Sequence, residues 1–298
     1  MKNPFDNTIL NAVSVREEAV AYEAIMSMLR ESVWNIADQI RSSGLLPSDY
    51  LRTVANTMFT DTVVRNIRKQ LEIVAKEVSV ALYNDVLYPA LLRYSTEAPP
   101  ILYYDGDIEF LQQPSISIVG ARKATEEGMR TASELADELV RAGYGITSGL
   151  ASGIDASAMK SALNADGKVV GVIGTPMSHS YPPENSALQM LVRGKGLLIS
   201  HVPFCRFSEE PFVSRKYHFT ERNILMAGVT TATVIVEASD TSGTLTQARA
   251  CMKLKRPLFI TERCFNSSGL NWPKKYVQQG AIVVKDAADI VNHLAVLG

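Results

Sequence analysis

A chain of 298 residues, 46% hydrophobic and 20% charged, with 18 Gly and 13 Pro, has ordinary globular composition and excludes collagen, coiled coil and general disorder. Thirty Lys and Arg against 31 Asp and Glu give a formal net charge of −1. That excludes a wholly basic nucleic-acid coat but leaves room for a local basic patch.

Residues 1 to about 93 hold no glycine except Gly44 and no alternating strand pattern. Val15, Ala19, Tyr22, Met26 and Leu29 recur at three- and four-residue intervals, the stripe of a core-facing helix. A second helical run is expected over Thr62 to Tyr83, with Val63, Ile67, Leu71, Val74 and Val78 on one face. Ser42-Ser43-Gly44 and Leu46-Pro47-Ser48 read as a helix stop and restart. The prolines of Arg93 to Pro100 mark the boundary, so a helical domain is expected over 1–95 and a second domain over 96–298.

Beyond Pro100, short β-branched runs alternate with amphipathic helices. The runs are 116–120, 144–149, 168–174, 197–202, 231–238, 257–261 and 281–286. Most are apolar throughout, as parallel strands covered on both faces are. Glu126 to Ala142 reads as the first crossover helix, with Met129, Ala132, Leu135, Ala136 and Leu139 as its stripe. The expected fold is α/β: a doubly wound, mostly parallel Rossmann-like sheet with an N-terminal all-helical domain.

Ligands of such sheets bind where strands end and helices begin. Three small-residue junctions fall there: Gly120-Ala121-Arg122-Lys123, Ser148 to Asp155 with Gly149, Ser152 and Gly153, and Ser242-Gly243-Thr244. Glycine permits close backbone approach, hydroxyls donate, and free N–H groups at a helix start favour an anion. Arg122 and Lys123 add positive charge at that edge. One such loop serves only strand-helix geometry; three on one sheet edge point to a phosphate-bearing ligand. Neither GxGxxG nor GxxxxGK[ST] occurs, so a standard NAD or P-loop site is not expected.

Catalytic groupings are thin, and no catalytic residue, cofactor or metal is assigned. Asp155, near a helix start, is expected to cap backbone N–H groups, with positioning of a hydroxyl (a ribose contact), an ion pair or a metal as the alternative. Glu237 ends a buried strand and needs a partner: a ribose hydroxyl, or an arginine such as Arg222. His179, His201, His218 and His293 lack metal-ligand spacing. Ser148 and Ser242 lack a GxSxG setting. Cys205, Cys251 and Cys264 fit neither a disulfide framework nor a zinc ribbon and point to a reducing compartment. No long apolar leader or run of ~18 apolar residues occurs, so a soluble cytoplasmic protein without membrane contact is expected. The segment 206–222 interleaves Arg206, Arg215, Lys216 and Arg222 with Phe207, Phe212, Tyr217, His218 and Phe219. Cations beside aromatic platforms suit single-stranded nucleic acid, while Glu209, Glu210 and Glu221 suit a solvated loop with its rings turned inward.

Residues 88 to 262 resemble the DNA-processing protein family DprA/Smf. SIVGARKAT, SGLASGIDASAMKSAL, SYPPEN, FTERNILMAG and VIVEASDTSGTLTQARACMKLKRPLFI follow the segment from Tyr88 in that family's order. The resemblance implies an extended Rossmann-like fold that binds single-stranded DNA, dimerises and loads a RecA-like recombinase. It places Arg122, Lys123, Ser148, Gly149, Arg222 and Asn223 on a basic, phosphate-facing pocket, with Ser242, Gly243 and Thr244 as its third loop. The chain departs from the family pattern at Ser152 and Ile224, each in place of an arginine, and at Met159, His201 and Thr261-Glu262. Two fewer arginines lower the expected positive potential.

The same loops occur in a wider superfamily with cytokinin-activating phosphoribohydrolases and nucleotide sensors of bacterial defence. Gln247 stands where those hydrolases carry a glutamate, and a neutral amide cannot serve as a carboxylate base. Three readings follow: a single-stranded DNA-binding protein of DNA processing, a nucleotide sensor or nucleotide-processing enzyme, and a protein-binding scaffold.

Overall fold

In the computed structural model, residues 14–55, 57–75, 78–95 and 97–297 are described. The first thirteen residues of the expected helical segment, and Thr96 in the expected junction, lie outside the described residues.

The N-terminal part begins with four helices: α1 (Val15–Leu29), α2 (Val33–Ser43), α3 (Pro47–Val54) and α4 (Thr57–Val74). Ser14 accepts the Glu17 N–H at 3.4 Å, and Glu17 and Glu18 fill the first turn of α1, where the helix dipole favours acid. The predicted stop and restart fall into place. Gly44, at φ 70°, ends α2, and Pro47 opens α3. Of the expected stripe of α1, Ala19, Tyr22 and Met26 are buried and Val15 and Leu29 half-buried, and Glu23 on that helix is buried too. Its carboxylate accepts from Tyr103 Oη at 2.7 Å and from the Phe204 and Cys205 N–H groups at 2.8 and 3.0 Å. That clamp fastens α1 onto the sheet.

The helical run expected to reach Tyr83 is corrected by the structure. Helix α4 stops at Val74, and Ser79–Leu82 form an edge strand, β1. It pairs antiparallel with β2 (Ile101–Gly106), also unread as a strand, and β2 pairs antiparallel with β6 (Leu197–Ser200). Sheet hydrogen bonding overrides local helical periodicity there. A short helix, α5 (Ala90–Arg93), lies between β1 and β2.

The seven expected strands all form. β3 (Ser115–Val119), β4 (Gly145–Ser148), β5 (Val169–Ile173), β6, β7 (Ala232–Ile235), β8 (Leu258–Thr261) and β9 (Ile282–Val284) pair in parallel. The sheet order is β1-β2-β6-β5-β4-β3-β7-β8-β9. Connections run through α6 (Glu126–Arg141), α7 (Ile154–Asn164), α8 (Ser186–Lys195), α9 (Phe204–Glu209), α10 (Lys216–Val229), α11 (Thr244–Lys253), α12 (Glu262–Phe265) and α13 (Trp272–Gln278), and α14 (Ala287–Leu297) follows β9.

Both sheet faces are covered. Leu135, Leu139, Ile154 and Ala158 of α6 and α7 join Ile116, Ile118 and Ile146 in one core, which continues into Tyr22 and Ile25 of α1. Leu225, Met226, Ala248 and Cys251 of α10 and α11 meet Val119, Ile235 and Ile260 in the other. Full burial of one such aliphatic side chain stabilises by ~1.5–3 kcal/mol. The three cysteines are buried and free. Among the described residues no helix is long and apolar enough to cross a membrane.

After β3 the chain moves toward β4, and it later returns to β7 on the opposite side of β3. Strand order reverses between β3 and β7, so their carboxyl ends splay apart into a crevice.

Candidate phosphate-binding cleft

A cleft of ≈ 780 Å³ opens at that reversal. Ten of the fourteen residues singled out from sequence line it: Gly120, Arg122, Lys123, Asp155, Arg222, Asn223, Glu237, Ser242, Gly243 and Thr244. Ser148, Gly149, Ser152 and Gly153 do not, and they act behind it.

The first loop leaves β3 at Gly120. A Cβ there would lie 2.5 Å from Ile154 Cγ1 and 2.8 Å from the Glu237 carbonyl, so only glycine fits between β7 and α7. The next N–H, of Ala121, donates to that carbonyl at 2.7 Å, and the Ala121 carbonyl accepts from Ile154 N at 3.3 Å. Arg122 and Lys123 then project as exposed residues. Neither cation makes a hydrogen bond or ion pair to a side chain or backbone group among the described residues.

The second loop is a brace. Ser148 is fully buried and donates to the Ile118 carbonyl at 2.6 Å. Ser152 donates to Glu184 at 2.8 Å. Gly153 takes φ 78°, and a Cβ there would collide with the Ala121 carbonyl. Asp155 lies in the first turn of α7, and its carboxylate accepts a backbone N–H, that of Gly149 at 3.0 Å, from the loop before the helix. Burial pushes the Asp155 carboxyl up, against the opposing pull of Arg222 and that N–H.

Arg222 is 6% exposed and sits at the back of the cleft. Its Nη1 donates to the carbonyls of Gly149 at 2.6 Å and Val172 at 2.9 Å, and its Nε donates to Asn223 Oδ1 at 3.0 Å. A Cβ on Gly149 would strike the guanidinium. Burial lowers the Arg222 pKa, and Asp155 opposes that shift across the loop.

The expected pairing of Glu237 with Arg222 is corrected. Glu237 Oε2 takes Arg263 Nη1 at 3.0 Å and Thr125 Oγ1 at 2.7 Å, and Oε1 accepts the Thr125 N–H at 3.2 Å. Burial would raise this carboxyl, but Thr125 and Arg263 outweigh it and hold it below the ordinary value. The carboxylate therefore occupies the N-terminus of α6, where a bound anion would otherwise sit.

The third loop is tied to the first. Ser242 Oγ donates to Thr244 Oγ1 at 2.9 Å and accepts the Thr244 N–H at 3.1 Å, while Thr244 Oγ1 donates to the Gly120 carbonyl at 3.1 Å. Ser242 thus bonds the first residue of α11 rather than facing a base. Asn223 Nδ2 reaches the Gly243 carbonyl at 3.5 Å. Gln247 is 1% exposed, donates to Thr233 Oγ1 at 3.2 Å, and has no partner on Oε1 among the described residues.

Sequence reasoning missed Thr125 and Arg263, both lining the cleft, whereas Phe219, named among the aromatic residues of 206–222, lines it too. Thr125 precedes Glu126-Glu127 and so carried a helix N-cap signal. Arg263 comes from α12, beyond β8, and nothing local in sequence connects it to Glu237. In the segment 206–222, Phe207 and His218 are buried, whereas Phe212 and Tyr217 are 83% and 62% exposed.

What the cleft can do follows from its charges. The interior cations are engaged by carbonyls and carboxylates, and the mouth carries two cations free to meet an anion. Arginine supplies a planar fork for phosphate oxygens and lysine a point charge.

Comparison with known proteins places the chain in a family. The family model for DNA recombination-mediator protein A matches residues 79–295. DNA processing protein DprA of Bacillus subtilis is 32% identical over 209 residues, 70% of this chain and 68% of that protein. Protein Smf of Synechocystis is 34% identical over 180 residues, which is 59% of this chain but only 44% of that protein. The crystal structure of DprA from Streptococcus pneumoniae superposes with a TM-score of 0.74 at 25% identity, covering 92% of this chain and 97% of that one. A DprA from Helicobacter pylori, described for its single-stranded DNA binding mode, superposes with a TM-score of 0.62 at 25% identity, covering 74% of this chain and 96% of that one. The chain belongs to the DNA recombination-mediator protein A family, that of the DprA and Smf proteins.

Proposed function

We propose that this protein binds single-stranded DNA by its phosphate backbone at the mouth of the cleft, in DNA processing and recombination. The observation that carries the reading is the exposed, unpartnered pair Arg122 and Lys123, held over the cleft by the glycine-bound turn after β3. Its resemblance to proteins that bind single strands, as the Helicobacter pylori DprA does, supports the choice of ligand. The proposal extends to a cytoplasmic homodimer that delivers the strand to a RecA-like recombinase, with residues 1–95 as the partner-facing domain and 96–298 as the DNA-binding one. The reading is of a binding protein: within the cleft, Ser242 faces Thr244 and Gln247 is an amide, so neither is set up as an activated nucleophile or a base.

Titration of oligo-dT, duplex of equal length and a mononucleotide into the protein at several salt concentrations tests the proposal. Tighter binding of oligo-dT, weakening as salt rises through counterion release, is the expected result. A cleft of ≈ 780 Å³ also falls in the size range of small-molecule sites. Salt-independent binding of the mononucleotide without the oligonucleotide would replace the proposal with nucleotide sensing. Binding of neither would leave the scaffold reading.

A further inference from the structure

Away from the cleft, three metal-ligating side chains converge where the N-terminal helices meet the sheet. His201 lies just past β6, fully buried, with its ring stacked on Trp34 of α2 at 5.5 Å between centroids. His218 and Glu221 stand one turn apart on α10. His218 Nδ1 is 3.1 Å from Glu221 Oε2, and His201 Nε2 is 3.5 Å from the same oxygen. One ligand atom of each of the three residues lies within 4.8 Å of the others.

Hydrogen bonding fixes what those atoms offer. Glu210 Oε2 lies 2.7 Å from His218 Nε2 and, as a carboxylate, accepts the proton of that nitrogen. Arg206 Nε donates to the other Glu210 oxygen at 2.6 Å, which orients the carboxylate. With Nε2 protonated, Nδ1 of a neutral His218 presents a lone pair toward Glu221, itself an acceptor. His201 adds a third base, and neither of its ring nitrogens has a hydrogen-bond partner among the described residues. A proton shared by His218 and Glu221 would still leave His201 unsatisfied, and an orphaned buried polar group is costly. A cation at the centre would take one lone pair from each of the three, that of His201 from Nε2.

We infer that His201, His218 and Glu221 form a binding site for one divalent first-row transition-metal ion, with Glu210 as the residue that positions His218. Zinc is bound by imidazole nitrogen and carboxylate oxygen at about 2.0–2.2 Å, which makes the edge of a tetrahedral site about 3.3 Å. The separations of 3.1 and 3.5 Å bracket that length. A carboxylate behind a metal-binding histidine is the usual outer support of such a site. The fourth position is left to water from the adjoining cavity of ≈ 380 Å³, which His218 and Glu221 line together. The site ties β6 and α10 together beneath α2, independently of any DNA bound at the cleft. No local spacing announces it, because sixteen residues of sequence lie between His201 and His218 and only the fold brings them together.

Equilibrium dialysis of the metal-stripped full chain against micromolar zinc, with metal analysis, tests the site. One ion per chain is expected. His201→Gln and Glu221→Gln should each weaken zinc binding at least ~100-fold, and Glu210→Gln ~10- to 100-fold, with unchanged circular dichroism. The histidine ring ¹⁵N resonances of His201 and His218 should shift on zinc addition while those of His179 and His293 stay in place. This second readout needs no variant and decides the matter if the substitutions unfold the chain. Absence of bound zinc in the folded wild type, unmoved ring resonances of His201 and His218, or unaltered affinity in folded His201→Gln and Glu221→Gln would each overturn the inference.

Discussion

Glu237 and Arg263 meet at 3.0 Å at the edge of the cleft, bringing together the end of β7 and the start of α12. The pair rests on the first turn of α6, with Thr125 bonded to both partners. Gly128 leaves the room, because a Cβ there would strike the Glu237 carboxylate. The protein thereby fills one helix terminus with its own carboxylate, which leaves Arg122 and Lys123 as the exposed cations of the cleft mouth.

This arrangement sets a pH dependence. A carboxyl held below its ordinary value in the folded chain contributes stability at pH values above its unfolded pKa, and that stability fades as pH falls through the folded pKa. For Glu237 the window lies below the ordinary value of 4.5. Glu237→Gln should therefore lower the melting temperature at neutral pH, and the gap to wild type should close in acid below that window. A gap that stays constant from neutral to acidic pH would show that the carboxylate charge contributes nothing.

Arg222 acts differently. Its guanidinium satisfies two buried carbonyls and offsets the Asp155 charge across the second loop. Removal leaves a buried carboxylate without its counter-charge, at a cost of about 3–5 kcal/mol. Arg222→Met should lose stability of that order in urea unfolding. A loss under about 1 kcal/mol would mean the loop repacks around the gap.

The sequence was informative where physics is local. The mostly apolar runs of β3 to β9, the stop at Gly44 and the glycine turn after β3 follow from burial, φ and close approach, all visible along a short stretch of chain. β1 was missed because an edge strand carries a mixed pattern, and here pairing overrode the helical period that continues past Val74; β2, the next strand in, was missed because its buried run, Ile101 to Tyr103, is only three residues long. The partners of Glu237 and Asp155 were missed for a related reason. A buried carboxylate announces that it needs a partner, but which arginine supplies it depends on where α10 and α12 return to the sheet. The type of contact was legible, and its address was not.

Gly120 provides a steric test of the reversal point. Its φ is not in the left-handed region, so the demand for glycine comes from the Ile154 side chain and the Glu237 carbonyl against the missing Cβ. Gly120→Ala should force β7 and α7 apart and cost about 1–3 kcal/mol, as overpacking does. In a chain of this size that is a fall of roughly 2–4 °C in melting temperature for each kcal/mol. An unchanged melting temperature would show that the crevice walls separate freely.

Arg122 separates ligand contact from scaffolding. It is exposed and makes no hydrogen bond to any described residue, so Arg122→Ala should leave the melting temperature nearly unchanged. If its guanidinium forks around a backbone phosphate, the substitution removes a charge-assisted interaction worth about 1.5–3 kcal/mol. Affinity for oligo-dT should then fall at least about tenfold, since each 1.4 kcal/mol is one decade. The salt dependence should flatten too, by about 0.7 in the slope of log affinity against log salt for each single-strand phosphate no longer neutralised. Lys123→Ala should show a smaller loss of affinity with a similar change of slope, because an ammonium contributes charge without the fork. The pairing of a stable fold with a flattened salt slope is what distinguishes a phosphate-binding arginine from a structural one. Unaltered affinity and slope in a variant that melts early would place Arg122 with Arg222 among the braces of the loop, and the phosphate-binding group would have to be sought elsewhere on the cleft.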